Sequence, residues 1–159
     1  MNEKYLTLAH RIRADLETLD KLWNHLAAAE SPSGGSAEEA LIAIGYRLHN
    51  LYTAAENVFL NIAKVFGNQV EDKSAWHAEL LERMRLDLLP LRPAVIDHEA
   101  YDKLHELRRF RHLFRAAYGV ELDPERLTLV LNKALALREI FPRQVEGFLD
   151  FLGSLDDEG

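Results

Sequence analysis

Between Arg108 and Arg115 the chain sets four arginines and one histidine within eight residues: Arg108, Arg109, Arg111, His112 and Arg115. The arginine guanidinium is planar, stays charged at any physiological pH and pairs bidentately with phosphate, so a cluster this dense can hold a polyanion. A solvated helix face, with cations favoured near the negative C-terminal end of its helix, has the same composition. The 159 residues as a whole carry a net charge of −7. That balance argues against a broadly basic surface that coats nucleic acid and confines any anion site to a local patch.

Other chemistries are poorly supplied. The sequence has no cysteine, which removes disulfides, thiolate metal sites and thiol nucleophiles and fits a reducing compartment. It contains no glycine-rich phosphate loop and no nucleophile elbow, so ATP use and acyl transfer find no support, and no cofactor is called for. His98, His105 and His112 recur every seven residues, but seven residues of helix span about 10 Å, too far for two imidazoles on one ion. His98 and Asp102 have better spacing and lack a third ligand, so no metal site is expected. Tyr52 and Glu56 lie one turn apart beside Asn57 and could offer polar groups to a cleft, although an ordinary polar helix face explains them more simply.

The elements that must position these residues read as helices throughout. Tyr5, Leu8, Ile12, Leu16, Leu19, Trp23 and Leu26 recur three or four residues apart and predict an amphipathic helix over about 3–29. Ser31-Pro32-Ser33-Gly34-Gly35 ends it, and Ser36 can cap a second helix over about 37–66 that closes at Gly67-Asn68. A third, shorter helix follows Ser74 and carries Trp76, Leu80, Leu81 and Met84, until Pro90 and Pro93 force an extended connection. Asp97 caps the fourth, which runs to about Tyr118 before Gly119. Leu104, Leu107, Phe110, Phe114 and Ala117 form its core face; Arg108, Arg111, His112, Arg115 and Tyr118 form the adjoining stripe, with Arg109 to its side. Asp123-Pro124-Glu125 opens a fifth helix with an oxygen cap, a proline at the first helical position and an acid near the positive end. Pro142 is expected to kink or break it, leaving a short terminal piece and an acidic tail over about 153–159.

No alternating strand pattern competes, and 48% hydrophobic residues suffice for a core. The expected fold class is therefore all-α, one domain over 1–159 built as a bundle of about five helices. The first turns, MNEKYLTLAHRIRADLE, carry charges throughout and lack the apolar run of a signal peptide or membrane helix, so a bacterial-type cytoplasmic protein without a membrane partner is expected.

The string Arg111-His112-Leu113-Phe114-Arg115-Ala116-Ala117-Tyr118 resembles the R-x4-H-x-Y signature of HEPN ribonucleases, in particular the HepT-like toxins paired with MNT nucleotidyltransferase antitoxins. Arg111 matches the arginine, Tyr118 matches the tyrosine, and Ala116 stands where the family has its histidine. YRLHNLYTAAENVF in the second helix and FRHLFRAAYGVELDPERL are similar to the same family, so the resemblance covers most of the chain.

The resemblance implies a HEPN-type homodimer that cuts RNA, tRNA or mRNA, without a metal, in a cleft between two copies of the fourth helix. Arginine would hold the scissile phosphate and histidine would move a proton at the ribose hydroxyl or the leaving oxygen. It also implies that the MNT antitoxin neutralises the toxin by transferring AMP to Tyr118, as in type VII-like modules. Arg108, Arg109, His112 and Arg115 are then the candidate RNA contacts. Alanine has no proton to transfer, so Ala116 implies a dead or severely impaired enzyme. Residues five apart on a helix point roughly 140° apart, while residues seven apart nearly coincide, so Arg111 and Tyr118 share a stripe and position 116 does not. A non-catalytic helical module that docks a nucleotidyltransferase, with its arginines facing an acidic partner surface, is the alternative.

Overall fold

Apolar stripes of helical period become six helices in the computed structural model, which describes residues 2–28, 37–67, 75–116 and 123–157. They are α1 (Glu3–Ala28), α2 (Ala37–Phe66), α3 (Trp76–Met84), α4 (His98–Ala116), α5 (Pro124–Leu137) and α6 (Phe141–Asp157). No strand occurs among the described residues. The expected all-α class holds among the described residues, as a bundle of six helices. Its single core draws on all six helices, from Leu8 and Trp23 in α1 to Phe148 and Leu152 in α6.

The helix boundaries follow the local chemistry. Asp97 accepts the Ala100 amide at 2.9 Å and starts α4. Asp123 accepts the Glu125 amide at 3.0 Å, with Pro124 at the first position of α5. Each carboxylate satisfies one of the amides that a helix start leaves without an intrahelical acceptor. At the end of α2 the chain turns through Gly67 at φ 73, a left-handed conformation that costs glycine nothing.

Two features depart from expectation. Pro142 lies in the first turn of α6, where its missing amide N–H forfeits no helical bond, and the break comes earlier, in a turn over 138–140. The terminal piece is a full helix of 17 residues that carries part of the expected acidic tail. The expected extended connection from α3 to α4 folds back on itself in a turn over 89–91. It contains the cis Leu89–Pro90 bond and an isolated bridge between Leu88 and Arg92. Arg92, fully buried, donates to the carbonyls of Arg83 in α3 and of Leu86 and Pro93 in the connection at 3.0–3.3 Å, and so ties the turn to the end of α3.

The helices are tied by specific contacts as well as by apolar area. Trp23 of α1 donates its indole N–H to the Ala134 carbonyl of α5 at 2.8 Å, a buried bond across the bundle. The Phe141 ring packs against both Trp23 and Phe59, which joins the start of α6 to α1 and α2. α4 packs on α2, α3 and α5. Near its end it meets α2 closely, for a Cβ built on Gly45 would lie 2.8 Å from the Phe114 ring.

Candidate functional site

Three polar side chains interrupt the apolar stripes of three different helices, and they meet. Glu56 follows Tyr52 and precedes Phe59 on the buried side of α2, and His77 precedes Leu80 and Leu81 on the buried side of α3. Arg111 lies between Leu107 and Phe114 on α4. Each spacing is three or four residues, so each polar group points into the bundle with its apolar neighbours.

Arg111 Nη2 donates to both Glu56 oxygens, at 3.1 and 3.3 Å, and Nη1 donates to Thr53 Oγ1 at 3.2 Å. The guanidinium carbon sits 4.5 Å from the centre of the Tyr52 ring, a cation–π contact in a dry setting. His77 Nδ1 lies 2.7 Å from Glu56 Oε2 and 3.0 Å from Arg111 Nη2. An ionised carboxylate only accepts, so Nδ1–H donates to Glu56 at 2.7 Å. Arg111 Nη2 also only donates, so its 3.0 Å approach to Nδ1 is then a close contact and not a hydrogen bond, and Nη2 is satisfied by Glu56 instead. Glu56 thus receives donors from α3 and α4 at once. Tyr52 is fully buried, and its hydroxyl has no hydrogen-bond partner. Burial first, and the Glu56 charge second, hold that hydroxyl far above its ordinary pKa, so it remains protonated.

The arginine strip of α4 is divided by this packing. Arg111 is buried, whereas Arg109 and His112 face outward, with Arg109 in a loose 3.8 Å contact to Glu106 one turn back. Arg108 is half-buried; its Nη2 lies 3.5 Å from His105 Nδ1, and its buried Nε has no partner. Burial, followed by the charges of Arg108 and Arg109, lowers the His105 pKa below the ordinary imidazole value. The side chains of Arg115 and Ala116, at the end of α4, and the whole of Tyr118 and Gly119 lie outside the described residues. His98 pairs with Asp102 at 3.2 Å on an exposed face.

Tyr52, Glu56 and Arg111 stand out in the sequence without any sign that they meet, and Thr53 and His77 join them only through their contacts in the fold. The signal for His77 was present: a titratable residue one turn before Leu80 and Leu81, on the stripe that the core requires to be apolar. Two surface clefts are separate from this cluster. One, of about 510 Å³, runs between α1 and α2 past Lys4, Arg11, Asn61 and Lys64, and the other lies beside Arg13 and Asp20 of α1.

An all-α bundle with a buried arginine of α4 seated on an acid from α2 is the class that fold and site define together. The chain belongs to the HepT-like family: the model for the HepT-like protein family matches residues 43–152, from the first turns of α2 well into α6, and so takes in the whole of Arg111 to Tyr118. No curated protein and no solved structure matches the chain.

Proposed function

We propose that this protein is the ribonuclease-type toxin of a cytoplasmic MNT/HEPN toxin–antitoxin module, a metal-independent RNA endonuclease in which position 116 has lost the motif histidine. The observation that carries this reading is the family match over 43–152, which spans the motif segment of α4. Arg111 is the motif arginine, and Arg108, Arg109, His112 and Arg115 are the contacts to RNA phosphates. Guanidinium groups offset charge that develops on the phosphate oxygens, and attack by the ribose 2′-hydroxyl needs no metal.

The protein acts as a homodimer with its cleft between two copies of α4. Ile42, Tyr46 and Leu113, exposed around the Gly45–Phe114 contact, support an apolar rim for that association. Tyr118 is the site at which an MNT nucleotidyltransferase adds AMP, placing negative charge and bulk where RNA phosphate must sit. Intact mass after incubation with such a partner and ATP tests this step: a gain of one adenylyl group that Tyr118→Phe abolishes is the expected result, and an unchanged mass overturns it.

Cleavage is tested by Ala116→His. In the presence of EDTA, this variant is expected to cut RNA at least about a hundredfold faster than the unaltered chain, the scale of a restored general acid–base group. An A116H protein that folds and dimerises yet gains no cleavage overturns the proposal. The deep pairing of Arg111 with Glu56 favours a second reading, a non-catalytic module that docks a nucleotidyltransferase; there Arg111 is purely structural and A116H stays inert.

A further inference from the structure

The group that α4 lacks at position 116 has a chemical counterpart on α3. His77 is held by Glu56 through Nδ1 at 2.7 Å, beside the Arg111 guanidinium at 3.0 Å, and its side chain is 33% exposed. The buried Glu56 engages one edge of the imidazole, so Nε2, across the ring, is the nitrogen left to face a substrate. A neutral imidazole with Nδ1–H fixed on a carboxylate is a proton acceptor with its tautomer and orientation already set. His112 has no described carboxylate to orient it in this way and lies on the outer side of α4.

We propose that His77 is the proton acceptor for RNA cleavage by this chain, with Glu56 as its positioning residue, so that the histidine and arginine of the reaction come from α3 and α4 rather than both from α4. The assignment rests on the RNA-endonuclease reading given above. In the step, His77 Nε2 takes the proton of the ribose 2′-hydroxyl and the 2′-oxygen forms a bond to phosphorus. The bond from phosphorus to the 5′-oxygen breaks, and that oxygen takes a proton from water. The products are a 2′,3′-cyclic phosphate and a 5′-hydroxyl. Glu56 stabilises the imidazolium that forms. Thr53 is exposed and accepts from Arg111 Nη1, so a phosphate oxygen that displaces its hydroxyl gains that N–H while Nη2 stays on Glu56. The charged groups facing His77 are Glu56 from α2 and Arg111 from α4.

The test uses the full chain, a short single-stranded RNA and EDTA. Weak cleavage by the unaltered protein is expected, none with the 2′-deoxy oligonucleotide, and a loss of about a hundredfold in His77→Gln, which keeps an N–H for Glu56. Added imidazole should recover cleavage in His77→Ala, a response that a purely structural histidine does not give. Glu56→Gln should lower kcat more than it changes KM, because the imidazole loses the carboxylate that orients it, while His10→Gln on α1 leaves the rate unchanged. If the unaltered chain cuts nothing while A116H does, the endonuclease reading stands and the assignment to His77 falls. It falls equally if H77Q matches the unaltered rate, and if neither the unaltered chain nor A116H cuts RNA, both fall.

Discussion

Arg111 and Glu56 form an ion pair inside the α2–α4 interface, with Nη2 at 3.1 Å from the nearer carboxylate oxygen and each side chain only 6% exposed. Such a pair is costly to assemble, because both ions leave water, and costlier to split, because the survivor stays buried and uncompensated. Glu56→Gln is therefore expected to destabilise the fold by about 3–5 kcal/mol, the usual scale for removing one partner of a buried pair. Urea denaturation of the two proteins checks it, and a loss below about 1 kcal/mol would mean that Arg111 reaches water in solution.

Tyr52 contributes its ring, not its hydroxyl, to the same cluster. The ring lies under the Arg111 guanidinium while the buried hydroxyl has no partner, a situation that costs about 1–3 kcal/mol. Tyr52→Phe keeps the ring and removes the stranded group, so its midpoint of thermal unfolding should stay level or rise. A clear fall would reveal a hydrogen bond to that hydroxyl.

Asp97 caps the helix that carries the arginines. The Ala100 amide, as the largest cause, holds its carboxyl below the ordinary carboxylate range. Because the folded-state pKa is depressed, the stabilisation is complete above the unfolded-chain value of about 4 and is lost as pH falls through the folded value. Asp97→Ala should cost about 1 kcal/mol at neutral pH, with the difference from the unaltered chain closing as pH drops below about 4. Paired denaturation curves across that range provide the check.

Gly45 lets the two helices close. Alanine is the better helix former by about 1 kcal/mol, but its Cβ would approach the half-buried Phe114 ring to 2.8 Å, and overpacking of that kind costs about 1–3 kcal/mol. Gly45→Ala should thus be neutral to destabilising, and a stabilised variant would show that Phe114 gives way freely.

The half-buried Arg108 and the exposed Arg109 should report on RNA through salt. Replacing Arg108 or Arg109 by glutamine is expected to weaken binding to single-stranded RNA and to lower the slope of log affinity against log salt by about 0.7 for each phosphate that is no longer neutralised. Fluorescence anisotropy titrations at several salt concentrations measure it. An unchanged slope in both variants would remove these residues from the interface.

Much of the fold was legible because it is local. The caps at Asp97 and Asp123 and the stop of α2 at Gly67 follow from residues within a few positions of each boundary, where capping and backbone preference act, while the expected stop over 31–35 and cap at Ser36 lie outside the described residues. Pro142 was harder to place, since proline fits the first turn of a helix as well as it breaks an interior, and only the turn over 138–140 distinguishes the two. The link around Arg92 depends on three carbonyls gathered from the end of α3 and the turn itself, which no periodicity encodes.

The candidate site divides along the same line. Residue types and their spacing were enough to place an arginine-rich segment at the end of the fourth helix, to make the fold all-α and to leave position 116 with no proton to give. Which arginine is turned inward depends on the neighbouring helices. On an isolated helix Arg108, Arg111 and Arg115 are equivalent members of one stripe. Packing against α2 and α3 buries Arg111 because Glu56 and Thr53 supply its acceptors, a choice that depends on residues 55 and 58 positions away in the chain. A stripe of side chains is set by helical period, whereas the partner of a buried charge is set by which helices are brought together.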